Sequence, residues 1–79
     1  MFVSDAIRKA MKKAKLSQTR LGEIWDTTPQ VINNKMRLQR WTAEELAQVA
    51  GYTGGKLMFV FPDGEQIEIE PQADPESQA

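Results

Sequence analysis

Four residues near the middle of the chain, Gln30, Asn33, Asn34 and Arg37, combine hydrogen-bonding chemistry with a shared direction. On a helix turning about 100° per residue, with Pro29 at zero, they fall near 100°, 40°, 140° and 80°, one sector about 100° wide. A carboxamide presents a donor and an acceptor side by side, which matches N6 and N7 of adenine. A guanidinium matches O6 and N7 of guanine, or a phosphate. No acid lies on this face to repel a polyanion. Two adjacent asparagines inside a helix carry a propensity cost that Glu or Lys would not. Direct reading of bases accounts for that cost; a solvated polar surface is the bland alternative. Val31, Ile32 and Met36 occupy the rest of the turn, with Lys35 among them, so an apolar back is expected.

Other chemistries find little support. The chain has no histidine and no cysteine, so the usual general base, the usual metal ligand, thiolates and disulfides are missing. The densest carboxylates, Asp63, Glu65, Glu68 and Glu70, surround a turn, and their spacing matches no calcium loop. There is no glycine-rich phosphate loop, and no aromatic platform of the kind single-stranded RNA stacks on. The expectation is a non-enzymatic protein with no cofactor, no metal and no small-molecule ligand.

Charge is distributed unevenly along the 79 residues. Through Trp41, nine basic residues stand against three acids, a net +6; from Thr42 onward one lysine stands against eight acids, a net −7. A basic half of this kind suits a polyanion-binding face, although lysine-rich helix surfaces are also ordinary. Lys15, Gln18, Arg20, Thr28 and Arg40 are the candidate phosphate contacts. Gln18 stands at the start of a helix, where free backbone N–H groups add to its side chain.

The elements that must position these groups follow from local signals. Ser4 is expected to cap a first helix running to about Lys15, with Ile7, Ala10, Met11 and Ala14 as its buried stripe. Ser17 caps a second helix, Gln18 to about Trp25, facing inward through Leu21, Ile24 and Trp25. Asp26-Thr27 forms a break that tolerates a left-handed residue. Thr28-Pro29 opens the third helix, to about Arg37. Thr42 and Glu45 form a capping box for a fourth, with Ala43, Leu46, Ala47 and Ala50 on one face, Val49 beside them and Gly51 as its stop. Lys56–Phe61 and Gln66–Glu70 flank Pro62-Asp63-Gly64 and read as a β-hairpin. The predicted class is mainly α with a C-terminal β-hairpin: one domain over residues 1–70, the hairpin at about 56–70, and a disordered tail at 71–79.

The segment from Leu16 to Asn34 resembles the helix-turn-helix of the lambda-repressor-like, Cro/XRE-type DNA-binding regulators. Ser17-Gln18 opens its second helix as the Ser/Thr-Gln pair of that family does, Leu21 and Gly22 follow at the family spacing, and Ile32 matches the buried residue of the recognition helix. The resemblance spans about residues 5 to 52. It implies a four-helix lambda-repressor-like domain, phosphate contact by Gln18, and base reading by Gln30, Asn33 and Asn34, with Arg37 on the same face. Pro29 stands where some relatives carry a polar reader, Asp26 where glycine is usual, and Lys35 where an apolar residue is usual. Many relatives end in a fifth helix, which the hairpin replaces here.

The first strand is apolar on both sides: Leu57, Phe59 and Phe61 on one, Met58 and Val60 on the other. One side can pack on the helices, and the second calls for a partner. The expectation is a homodimer through Leu57, Met58, Phe59 and Val60, reading a short palindromic operator as a transcriptional repressor. The alternative cover is the chain's own Phe2, Trp41 and Tyr52. The competing function is a protein-interaction module, such as an antitoxin or an accessory protein of a phage or mobile element, whose hairpin binds another protein. No apolar run approaches the roughly 20 residues of a membrane span, and the start does not read as a secretion signal. A cytoplasmic, nucleoid-associated protein of bacterial or phage origin is expected.

Overall fold

The computed structural model describes residues 1–72; of the tail expected at 71–79, residues 73–79 lie outside the described residues. Four helices precede one antiparallel hairpin: α1 (Val3–Lys13), α2 (Gln18–Ile24), α3 (Pro29–Leu38), α4 (Ala43–Tyr52), β1 (Leu57–Val60) and β2 (Gln66–Ile69). The helical caps follow the local chemistry. Ser17 Oγ accepts from the Arg20 N–H at 3.0 Å, and Thr28 Oγ1 from the Val31 N–H at 3.3 Å. Thr42 and Glu45 exchange both bonds of the capping box, at 2.8 and 3.1 Å. Asp26 holds the left-handed conformation at φ 54° between α2 and α3.

Two side chains each from α1 and α3, and one each from α2 and α4, meet in the core: Ile7 and Met11, Ile32 and Met36, Leu21, and Val49. Leu16, Trp25, Trp41, Leu46 and Tyr52 close its rim. On α4 the buried residues are Ala47 and Val49, while Ala43 is exposed. The apolar face is therefore rotated toward Val49 from the one expected. Gly51 does not stop α4, which continues to Tyr52, and the left-handed residue that follows is Gly54 at φ 81°.

Ser4 departs most from its expected role. Phe2 takes the cap position of α1, with the Asp5 carboxylate accepting its N–H at 3.3 Å. Ser4 lies inside the first turn, fully buried. Its hydroxyl donates to the Met36 carbonyl at 2.6 Å and accepts from Trp41 Nε1 at 3.1 Å. Its backbone N–H donates to Gln39 Oε1 at 2.9 Å. Met36 O is one of the last carbonyls of α3, which have no partner within the helix. One residue thus satisfies the end of α3 from the start of α1 and fixes Trp41 beside it.

In the hairpin, Leu57 pairs with Ile69, Met58 with Glu68, Phe59 with Ile67, and Val60 with Gln66. Gly64 at φ 93° and the Asp63 carboxylate, which accepts from the Glu65 N–H at 2.9 Å, shape the turn. The outer half of this hairpin stays exposed. Phe2 is exposed, and Trp41 and Tyr52 pack on the helical core.

Candidate nucleic-acid interface

Two short helices joined by residues 25–28 carry the candidate site. Gly22 on α2 lets them approach: a Cβ there would lie 2.9 Å from the Thr27 carbonyl oxygen. The Thr27 N–H in turn donates to the Gly22 carbonyl at 2.7 Å. Behind α3, Ile32 and Met36 are buried against the other helices. Trp25 from the end of α2 packs on Trp41 with ring centroids 6.3 Å apart, and its Nε1 donates to Gln48 Oε1 on α4 at 2.7 Å. The angle and depth of α3 are therefore set from both ends.

The outward side of α3 presents Gln30, Asn33 and Arg37 exposed and Asn34 half-buried. Arg37 Nη2 donates to Asn34 Oδ1 at 3.1 Å. The pair fixes which edge of the Asn34 amide is engaged by its neighbour, leaving the amide NH₂ as donor. Val31 does not belong to the apolar back. It is 40% exposed, because its direction lies about 120° away from the Ile32–Met36 axis. With Asn34, Lys35, Leu38 and Arg40 it lines a shallow depression of about 280 Å³.

Lys35 has a structural assignment. Its Nζ sits 2.7 Å from Glu45 Oε2, bridging α3 to the start of α4 with both side chains about three-quarters buried. Burial alone would raise the Glu45 carboxyl. The Lys35 ammonium and the Thr42 N–H and hydroxyl outweigh it, and the carboxyl is held below its ordinary value. An apolar residue at position 35 would lose this cross-helix pair, which is the reason a charge is tolerated on an otherwise inward-leaning position.

The candidate phosphate contacts are placed as follows. Lys15 follows α1 in a left-handed conformation and is exposed. Gln18 opens α2, half-buried. Arg20 is exposed and forms an ion pair with Glu23 at 3.1 Å, a contact weak enough to yield to a phosphate. Thr28 uses an oxygen lone pair to cap α3, so its hydroxyl proton is still free to donate. Arg40 is exposed after α3 and on the rim of the depression. Comparison with family models, curated proteins and solved structures returns no match.

Ser4, Gln39 and Gln48 are the supporting residues that sequence reasoning missed. All three act over separations of 23 residues or more, and no local spacing marks them. The Arg37–Asn34 bond was open to detection, since residues three apart on a helix are neighbours. The hairpin residues stand apart from this site. Leu57 and Met58 are half-buried, whereas Phe59, Val60, Phe61 and Ile67 are 61%, 65%, 41% and 48% exposed.

Proposed function

We propose that the chain is a sequence-specific binder of double-stranded DNA that acts as a transcriptional regulator of the lambda-repressor-like, Cro/XRE type. In this reading α2 and α3 form a helix-turn-helix, and α3 enters the major groove. One observation carries it: a face of three carboxamides and a guanidinium stands outward on a helix held rigidly from behind. Gln30, Asn33, Asn34 and Arg37 read base edges, and Lys15, Gln18, Arg20, Thr28 and Arg40 hold phosphates. Rigid support matters because bidentate base contacts tolerate little misplacement.

A single helix of this size reads only a few base pairs. A two-fold dimer through Leu57, Met58, Phe59 and Val60 reads two half-sites about 34 Å apart. Repression by occlusion is the simplest outcome for a domain of this size, acting in the cytoplasm on the nucleoid of a bacterium or on phage DNA. The exposed apolar hairpin also favours a second reading, a protein-interaction module in which the hairpin binds a partner protein.

Selection from random-sequence duplex DNA separates the two. The DNA-binding reading expects an enriched palindromic motif, affinity that falls steeply with salt, and loss of the motif in the double variant Asn33→Ala, Asn34→Ala. No enriched motif, with the variant indistinguishable from wild type, would overturn it in favour of the protein-interaction module.

A further inference from the structure

We infer that Asn34 and Arg37 act as one donor-only unit that selects guanine, while Gln30 and Asn33 keep the donor–acceptor edge that suits adenine. The inference rests on the DNA-binding reading above and divides its base-reading face into two kinds of site. Arg37 Nη2 donates to Asn34 Oδ1 at 3.1 Å. That oxygen is the only acceptor on either side chain, because a guanidinium carries donors alone. What remains to offer a ligand is the Asn34 NH₂ and the other N–H groups of Arg37.

In the major groove guanine presents two acceptors, N7 and O6, and no donor. Adenine sets an amino group beside its N7, and cytosine presents an amino group alone. An amino group approaching Asn34 Oδ1 competes with Arg37 for that oxygen and meets its positive charge. Thymine presents one acceptor, O4, beside a methyl group. Guanine alone gives each of the two side chains an acceptor.

The surroundings hold the pair in this state. Arg8 pairs with Asp5, Arg20 with Glu23, Lys35 with Glu45 and Lys56 with Glu68; among the described residues no acid pairs with Arg37. Its charge is therefore not neutralised within the chain. Asn34 is half-buried and lines the depression beside the apolar Val31 and Leu38. The Lys35 ammonium on that side is already held by Glu45 at 2.7 Å, so the Asn34 oxygen finds its donor in Arg37. The bond also places the guanidinium. Arg37 stands near the end of α3, whereas recognition helices contact bases through their N-terminal residues. Held to Asn34, it reaches back three residues, about 4.5 Å of rise, toward that end. Gln30 and Asn33 differ. Both are exposed, and among the described residues neither side chain has a hydrogen-bond partner. Each keeps its carbonyl oxygen and NH₂ for N6 and N7 of adenine.

Duplex selection on the single variants and a base analogue on the wild type test the unit. The wild-type motif is expected to contain a guanine whose identity is relaxed by Asn34→Ala and, at the same position, by Arg37→Ala, each on the order of tenfold against the other bases. Replacing that guanine by 7-deazaguanine removes the N7 acceptor, keeps the base pair and needs no protein variant. Wild-type affinity is expected to fall on the order of tenfold. A motif without such a guanine, variants that relax different positions, or full affinity for the 7-deazaguanine duplex overturns the unit and leaves the DNA-binding reading standing. So does an Arg37→Ala protein that binds more weakly but evenly across sequences, as loss of a phosphate contact would make it. A wild type that enriches no motif overturns both.

Discussion

Replacing Ser4 by alanine tests the joint that holds α1 to the end of α3. The hydroxyl is fully buried, donates to Met36 O at 2.6 Å and accepts from Trp41 Nε1 at 3.1 Å. Without it the Met36 carbonyl loses its side-chain partner in a dry environment, at a cost of about 1–3 kcal/mol. Trp41 is half-buried, so its indole N–H can turn to water and adds about 0.5 kcal/mol or less. Alanine returns roughly 0.5 kcal/mol through helix propensity. The removed atom is too small to leave a costly cavity. The balance is about 2 kcal/mol of lost stability, which for a domain of this length lowers the melting midpoint by about 8–16 °C. Urea and thermal unfolding followed by far-ultraviolet circular dichroism measure it. A double-mutant cycle with Trp41→Phe then isolates the shared bond, with an expected coupling of about 0.5 kcal/mol or less. A Ser4→Ala protein melting within about 2 °C of wild type would show that the buried hydroxyl is dispensable to the joint.

Three other perturbations bear on the same architecture. Gly22→Ala gains about 1 kcal/mol of helix propensity, but its Cβ would press on the Thr27 carbonyl at 2.9 Å, an overpacking cost of about 1–3 kcal/mol; net destabilisation is expected in urea titration, and a more stable variant would contradict the close approach. Glu45 has a depressed pKa in the folded state, so its contribution is present above the unfolded pKa and is lost as pH falls through the folded one; Glu45→Gln is expected to flatten the acid limb of the stability profile, and an unchanged limb would show that the Lys35 bridge contributes nothing. Arg40→Ala is expected to weaken duplex binding evenly across sequences and to reduce the logarithmic salt slope by about 1, whereas a change in preferred motif would make it a base reader instead.

Local chemistry made most of the helical frame legible. Ser17, Thr28 and the Thr42–Glu45 box each act within three residues, and Asp26 shows its turn through its own conformational tolerance. Periodicity correctly placed Ile7, Met11, Leu21, Ile32 and Met36 inside. It failed where a position's role depends on distant chain. Ser4 has the residue type of a cap, but Met36 and Trp41, more than 30 residues away, make it a buried tether. Lys35 looked like an anomaly on α3 until Glu45 came opposite it. Val31 groups with the apolar back because it lies outside the polar sector, but its angle sets it about 120° from Ile32 and Met36, and it is exposed. Of the candidate interface, the shared outward face of α3 was visible in residue spacing. The Arg37–Asn34 bond that orients one of its amides was not drawn from that spacing.

An NMR titration of the protein with the enriched duplex tests base reading by α3. The side-chain amides of Gln30, Asn33 and Asn34 and the α3 backbone amides are expected to shift together, saturating at one protein dimer per duplex, while the outer hairpin resonances stay in place. Shifts confined to the hairpin, or an α3 that does not respond at any duplex concentration, would contradict it.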